Sequence, residues 1–220
     1  MVLVNASARN QRQPGYLKCG VLNPSEVLQG LEGYGNVVFI RHAEKASNDS
    51  LPPGGTDRSD VAISSSGMKD CQEWARLLPV RVDLILTSPT LRTIQTSQQI
   101  RAIHNRDCTI VEVPFPKFSG SHGRWNQLKL QLGWRELIRR WILNEIPLDG
   151  ILPCREATQR FLTTVTRTIS ERKPSNTIVV THDHVITILS SLFFGVPDPD
   201  VGYLCGFAIG YSDILKKIGE

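Results

Sequence analysis

The sequence predicts an α/β fold of three layers, in which a mostly parallel central sheet lies between two layers of helices. Four short runs are rich in β-branched and aromatic residues without polar alternation, as expected of strands covered on both faces. Between them, apolar residues recur with the period of a helix, and the connections are short. This alternation is typical of α/β proteins, whose ligands bind beyond the carboxyl ends of the strands.

The predicted strands are continuous apolar runs at Val37–Ile40, Val82–Leu86, Thr109–Val113 and Thr177–Val180. A short helix is predicted over residues 25–31, because Asn23 and Pro24 suit a helix start. The longer predicted helices carry four apolar stripes: Met68, Cys71, Trp74, Ala75 and Leu78; Leu91, Ile94, Ile100 and Ile103; Trp134, Leu137, Ile138, Trp141 and Ile142; and Phe161, Leu162, Val165 and Ile169.

Length and composition favour one globular unit. The chain has 220 residues, of which 40% are hydrophobic and 21% charged. Residues 1–22 show no periodicity and are predicted to form a loosely held arm before a domain over 23–220. The net charge of +4 is too small and too scattered to indicate a nucleic-acid partner. No stretch is long and apolar enough to predict a membrane segment or a signal peptide.

The chain has an odd number of cysteines, and no two of them form a C-x-x-C pair. The five are Cys19, Cys71, Cys108, Cys154 and Cys205. This pattern predicts reduced thiols and a cytoplasmic protein.

Charged and imidazole side chains follow three of the predicted strands. Arg41 and His42 follow the first, Arg92 comes shortly after the second, and His182 follows the fourth. In a parallel sheet with these strands as neighbours, all four side chains converge. Guanidinium groups match phosphate oxygens in a fork geometry, and a neutral imidazole is a competent nucleophile. The four residues therefore predict a cradle for a phosphoryl group and a phosphohistidine intermediate.

In order and spacing, these pieces resemble the histidine phosphatase superfamily, also called phosphoglycerate mutase-like. The matching pieces run over about residues 36–210: Arg41-His42-x-Glu44, Asn48, Ile63-Ser64-x-x-Gly67, Ser88-Pro89-x-x-Arg92 and Thr181-His182. The resemblance implies that His42 is phosphorylated, while Arg41, Arg92 and His182 hold the phosphoryl oxygens. It further implies that Asn48 contacts phosphate or substrate, and that neither cofactor nor metal is needed.

One part of the family pattern is missing. Many members place a catalytic Glu in a Leu-x-Glu stretch after the third strand, and Lys117 stands at that position here. Another branch uses an Asp after the second His, which makes Asp183 the first choice for the general acid. Glu112 and Glu44 are the alternatives, and an ester with a good leaving group needs little acid help.

The resemblance implies a lid insertion over residues 114–150, because residues 119–134 stand where family members often place a lid over the pocket. His122, Arg124 and Lys129 are thus candidates for substrate specificity, and a solvated face is an equally good interpretation. The tryptophans at 134 and 141 fall on an apolar stripe, which favours a role in core packing.

The function predicted is hydrolysis of a small phosphate monoester. Three alternatives remain: a mutase of the same family, a non-catalytic phospholigand-binding module, and a metal-dependent hydrolase. The last would use His182 and His184 with Asp57 or Asp60, since residues i and i+2 of an extended segment face the same way. Neither the substrate nor the oligomeric state is predicted by the sequence.

Overall fold

A computed structural model describes residues 16–17, 36–47, 61–79, 81–116, 123–195 and 201–219. Its centre is a six-stranded sheet in the order β1-β6-β2-β5-β3-β4. The strands are β1 Tyr16–Leu17, β2 Asn36–Arg41, β3 Leu84–Thr87, β4 Thr109–Glu112, β5 Asn176–Thr181 and β6 Gly206–Gly210. β2, β5, β3 and β4 are parallel, whereas β6 is antiparallel to both β2 and β1.

Seven helices surround the sheet in the described parts of the chain: α1 Ser65–Leu77, α2 Leu91–His104, α3 Gly123–Leu132, α4 Trp134–Ile142, α5 Cys154–Arg172, α6 Asp183–Phe194 and α7 Tyr211–Gly219. Alternate strand residues point to opposite faces. On one face Val38 and Ile40 pack with residues of α1 and α2. On the other, Val37 and Phe39 pack with α5, α6 and α7. The predicted three-layer α/β fold is confirmed.

Helix α1 begins where the sequence predicts it. Ser64 is the N-cap, and its hydroxyl accepts a hydrogen bond from the Gly67 amide at 2.9 Å. A Cβ atom at residue 67 would come within 2.4 Å of the Glu44 carbonyl oxygen, so only glycine fits there. The Glu44 carboxylate accepts hydrogen bonds from Ser64 and Ser66. These contacts tie the start of α1 to the segment that follows β2.

Helix α2 differs from its predicted apolar stripe. Leu91 and Ile103 are 39% and 37% exposed, and Ile100 is the buried member of the set. The helix instead packs the small polar side chains of Thr93, Thr96 and Ser97 inward. Their hydroxyls are satisfied by backbone carbonyls one turn earlier, as for Ser97 and Thr93 at 2.9 Å. In α1, Met68 is likewise 40% exposed, although it was expected on the buried stripe.

The segment from residue 123 to 154 forms a third apolar cluster beside α5. Trp125 and Trp141 stack edge to face with ring centroids 5.0 Å apart, and Leu137 and Ile138 pack with them. The Trp141 indole N–H donates to the Leu152 carbonyl at 2.8 Å. Trp141 is fully buried, which agrees with the core-packing role expected of it. The lid role of this segment stays a prediction.

Four elements of the domain were not anticipated: the antiparallel strand β6 and the helices α3, α6 and α7. Within the predicted N-terminal arm, the two described residues form β1, a short edge strand on β6. The helix predicted over 25–31 lies outside the described residues. None of the helices that the structure describes is long and apolar enough to cross a membrane.

The cysteine prediction needs one correction. Cys71, Cys108 and Cys154 are buried free thiols, and burial raises the pKa of these groups to about 12, 11 and 12. Cys205, however, is disulfide-bonded. The spacing and number of the cysteines in a sequence do not show which of them pair in the fold. The expectation of reduced thiols throughout is therefore wrong, and the predicted cytoplasmic location loses that support.

Candidate active site

The carboxyl ends of β2, β3 and β5 bring the predicted site residues together. β2 and β5 pair in register with Arg41 opposite Thr181, so His42 and His182 follow their strands at the same level. The two imidazole rings lie 5.4 Å apart, centroid to centroid, although 140 residues separate them in sequence. Arg92 reaches the same place from the first turn of α2.

Backbone hydrogen bonds extend the sheet beyond its strands and hold these segments in place. The His42 amide donates to the Thr181 carbonyl at 2.9 Å, and the Ser88 amide donates to the Val180 carbonyl at 3.0 Å. The Ser88 and Thr181 hydroxyls are 3.1 Å apart. Ser88 therefore joins the strand ends, and Thr90 is the N-cap of α2.

His42 is buried, with 4% of its surface exposed, and both its ring nitrogens are engaged. Nδ1 lies 2.7 Å from the Ala43 carbonyl, which can only accept, so Nδ1 carries the proton. Nε2 then accepts from Arg92 Nε at 3.1 Å. The pKa of His42 falls from 6.5 to about 3; burial is the largest cause, Arg92 and Arg41 add to it, and the Ala43 carbonyl and Asp183 oppose it. His42 is thus a neutral imidazole whose Nε2 lone pair faces the arginine.

Arg92 joins the two histidines. Besides its bond to His42, its Nη2 lies 3.4 Å from Nδ1 of His182. A guanidinium can only donate, so Nδ1 of His182 accepts and its Nε2 is left to carry the proton. The site therefore presents one nucleophilic nitrogen beside several N–H donors.

Arg41 is held on three sides. Its Nη1 donates to the Val201 carbonyl at 2.5 Å, and its Nη2 lies 3.6 Å from Oδ2 of Asp183. The guanidinium carbon sits 4.2 Å from the centre of the Tyr203 ring. Its Nε is buried and has no hydrogen-bond partner among the residues that the structure describes. A bound anion would supply the missing acceptor.

Asp183 is the first residue of α6. Its Oδ1 accepts from the His184 amide at 2.7 Å and lies 3.4 Å from His184 Nδ1. Burial raises the pKa of this carboxyl, but hydrogen bonding to His184 and the charges of His184 and Arg41 outweigh it and bring the pKa far below its ordinary value. The carboxylate is ionised at neutral pH in the free protein, and the general-acid role of Asp183 stays a prediction.

The other two acid candidates are Glu44 and Glu112. Glu44 is committed to Ser66 and Ser64, whose hydrogen bonds lower its pKa. Glu112 is exposed at the carboxyl end of β4, opposite Thr87 of β3. Asn48 and Lys117 are outside the described residues. The roles predicted for Glu44, Glu112 and Asn48 stay predictions.

Of the lid candidates, two are described and His122 is not. Arg124 Nη1 is 3.5 Å from Gln127 Oε1, and Lys129 Nζ lies 4.9 Å from the centre of the Trp134 ring. Both therefore make contacts within the lid segment.

Two aromatic neighbours of the cluster were not predicted as site residues. Tyr203 lies with its ring centre 5.8 Å from that of His42. His184 stacks on His182 with centroids 5.5 Å apart and planes 9° apart, and Trp134 packs edge-on against it. His184 stood in the sequence only as a metal ligand. Tyr203 comes just before β6 in the chain. Local sequence patterns do not predict that strand, so they do not mark Tyr203 as a site residue.

The parallel stacking of His182 and His184 does not suit a shared metal ion, because their ring edges do not converge. Across the described ranges, no three His, Cys, Asp or Glu side chains are grouped closely enough to hold one. Asp57 and Asp60, the other expected ligands, lie outside those ranges. The described residues thus offer no support for the metal-dependent alternative.

Fold and cluster together define an α/β protein with two histidines and two arginines gathered at the carboxyl edge of its sheet. The family model of the histidine phosphatase superfamily (branch 1) matches residues 37–205. The chain belongs to the histidine phosphatase superfamily. This membership supports an enzyme with a phosphatase-type function. No curated protein sequence matches the chain.

Solved structures share the fold. Phosphoserine phosphatase from Entamoeba histolytica, in complex with 3-phosphoglyceric acid, is 17% identical with a TM-score of 0.54, covering 79% of this chain and 93% of its own. Phosphoglycerate mutase from Bacillus anthracis str. Sterne is 13% identical with a TM-score of 0.53, covering 83% and 96%. YhfR from Bacillus stearothermophilus is 19% identical with a TM-score of 0.53, covering 76% and 86%. The predicted phosphoglycerate mutase-like fold is confirmed.

The buried, neutral His42 predicts how stability depends on pH. The folded state keeps this imidazole unprotonated down to about pH 3, whereas the unfolded chain takes up a proton below about 6.5. Its contribution to stability is therefore complete above pH 6.5 and is lost as the pH falls towards 3. Denaturant titrations from pH 7 to 4 should show a steeper loss of unfolding free energy for the wild type than for His42→Asn. Equal slopes would contradict this assignment.

Proposed function

We propose that this protein hydrolyses a phosphate monoester through a phosphohistidine intermediate on His42. The observation that supports this best is the state of the His42 ring. Nδ1 is fixed by the Ala43 carbonyl at 2.7 Å, so the lone pair of Nε2 points at the guanidinium of Arg92. A neutral imidazole oriented in this way, beside fixed cations, is what attack on phosphorus requires.

In the first step, Nε2 of His42 attacks phosphorus and the bond from phosphorus to the ester oxygen breaks. The ester oxygen leaves as an anion and takes its proton from solvent water, and the phosphoryl group remains on Nε2. Arg41, Arg92 and His182 donate to its oxygens, where charge develops as transfer proceeds. In the second step, water attacks phosphorus, the P–N bond breaks, and phosphate and a neutral His42 are released.

Arg92 links binding to attack. Its Nε–H occupies the His42 lone pair in the free protein, at 3.1 Å. An incoming phosphoryl oxygen is a stronger acceptor for this proton than a neutral imidazole. Substrate binding therefore turns Arg92 from the histidine to the phosphate and frees Nε2 for attack.

Hydrolysis is favoured over mutase activity. A mutase must keep its phosphoenzyme long enough to return the phosphoryl group, which requires extra groups that hold the substrate. This chain has Lys117 where the Leu-x-Glu stretch is expected. The proposed substrate is a small phosphorylated molecule, with the lid segment over 114–150 contributing to its selection.

Turnover of p-nitrophenyl phosphate tests the proposal, because its leaving group needs no proton. We expect release of phosphate that survives EDTA, and a phosphoenzyme that is labile in acid and stable in base after rapid quenching with labelled substrate. Loss of activity with EDTA would point to the metal-dependent alternative. Binding of phosphate without any turnover would favour the non-catalytic module.

Asp183 is proposed to act as a charged partner of Arg41 rather than as the proton donor, because its carboxylate is ionised. The pair is partly exposed and 3.6 Å long, so we expect it to contribute about 0.2–1 kcal/mol. Asp183→Asn should lower kcat/KM by no more than about fivefold. Because the effect is on Arg41, p-nitrophenyl phosphate and an alkyl phosphate should lose the same factor.

The alkyl-to-aryl comparison separates the two roles of Asp183. A proton donor contributes about 10²- to 10⁴-fold, and only where the leaving group needs a proton. A large loss restricted to alkyl phosphates would restore Asp183 as the general acid.

A further inference from the structure

Arg41 differs from Arg92 in how it is held. Arg92 spans the two histidines, whereas Arg41 has its two terminal nitrogens drawn to groups outside the cluster. Nη1 lies 2.5 Å from the Val201 carbonyl and Nη2 lies 3.6 Å from Asp183. Only the buried Nε of Arg41 has no acceptor among the described residues. The contribution of Arg41 to anion binding thus depends on how its guanidinium plane is oriented.

The ring of Tyr203 contacts both Arg41 and the nucleophile. Its centre lies 4.2 Å from the Arg41 guanidinium carbon, within the range of a cation–π interaction. The same ring lies 5.8 Å from the His42 ring, at a tilt of 46°. Tyr203 therefore lies against both Arg41, the last residue of β2, and His42, which follows it.

The segment that carries Tyr203 is anchored to Arg41 through the backbone. The Arg41 amide donates to the Cys205 carbonyl at 2.9 Å, and the Leu204 amide donates to the Arg41 carbonyl at 3.2 Å. Leu204 has a positive φ of 56°, and its side chain is buried in the core between the sheet and α1. These contacts fix the turn before β6. The pairing of β2 with β6 therefore positions both the Tyr203 ring and Arg41.

We propose that Tyr203 is a positioning residue of the phosphoryl site. Its ring face holds the guanidinium plane of Arg41 so that Nε is directed at the phosphoryl group while Val201 and Asp183 retain the other nitrogens. This inference rests on the proposed function, because it assigns Tyr203 a role in binding the phosphoryl group that His42 attacks.

The test changes the ring's electrostatics and leaves its shape nearly unchanged. Phenylalanine and pentafluorophenylalanine are each introduced at position 203; fluorination reverses the charge of the ring face. The measurements are kcat/KM for p-nitrophenyl phosphate and the Kd of orthovanadate, which mimics the transferred group. We expect the fluorinated protein to be about five- to thirtyfold weaker than the Tyr203→Phe protein in both. Equal values in both proteins would overturn the inference.

A double-mutant cycle identifies the partner through which Tyr203 acts. Tyr203→Leu should lower kcat/KM and vanadate affinity in the wild type but change neither in an Arg41→Ala background. An undiminished loss in that background would show that the ring acts elsewhere and would overturn the inference.

Tyr211 provides the matched control, since it is also partly buried but donates to the Thr166 carbonyl at 3.2 Å, away from the cluster. Tyr211→Leu should leave vanadate affinity unchanged. A wild type that neither binds vanadate nor forms a phosphoenzyme would overturn the proposed function and this inference with it. A wild type that does both, with a fluorinated protein equal to its reference, would overturn the role of Tyr203 alone.

Discussion

His42→Asn is expected to remove essentially all turnover of p-nitrophenyl phosphate and to leave no phosphoenzyme. The substitution takes away the nitrogen that attacks phosphorus, and no other described side chain has a lone pair in the same position. Orthovanadate should still bind, because Arg41, Arg92 and His182 remain. A two-step route without its nucleophile has no first step, so we expect the largest effect of any single substitution here.

Single-turnover quenching with labelled substrate measures this directly. His104→Gln is the matched control: His104 is partly exposed at the far end of α2, where its Nε2 accepts from the Val82 amide at 3.3 Å. That variant should keep wild-type phosphoenzyme levels. Substantial activity in His42→Asn would refute the assignment of the nucleophile.

Arg92→Ala should lower kcat/KM by about 10²- to 10³-fold, or about 2.7–4 kcal/mol of transition-state stabilisation. Arg92 is the one described side chain that contacts both imidazoles, at 3.1 Å to His42 and 3.4 Å to His182. Its loss removes a donor to the phosphoryl oxygens and also leaves both rings without their common partner. Steady-state kinetics and vanadate binding should both deteriorate.

Arg101→Ala tests whether loss of any positive charge from the same helix has this effect. Arg101 is exposed about two and a half turns further along α2, and its removal should leave kcat/KM within a factor of about two. If Arg92→Ala behaved like Arg101→Ala, the proposed phosphoryl cradle would have to be abandoned.

The parallel strands were predictable because they are buried on both faces and read as continuous apolar runs. Strand β6 escaped because it begins and ends with glycine, which leaves an apolar run of only Phe207, Ala208 and Ile209. A Cβ at Gly206 would lie 1.7 Å from the Phe39 carbonyl oxygen, so the residue that weakens the strand signal is the one the close approach of β2 requires. Helix α6 is buried along most of its length and therefore lacks an apolar stripe.

The four side chains of the site could be predicted from their places after strands, since topology alone brings strand ends together. The state of Asp183 could not, because it depends on Arg41 and on the way His184 folds back at the start of α6. Tyr203 escaped for a similar reason. Its position follows from the backbone pairing between Arg41 and the turn before β6, which no local pattern encodes.

The register between β2 and β5 has a consequence for how this protein can change. Both histidines are set by main-chain pairing at the centre of the sheet, whereas the segment over 123–154 packs in an apolar cluster of its own. Residues of that outer cluster that do not touch His184 can be exchanged without altering the strand register that sets the two rings. On the proposed role of this segment in substrate selection, variation in which molecules are accepted can accumulate at the periphery while the reacting groups stay in register.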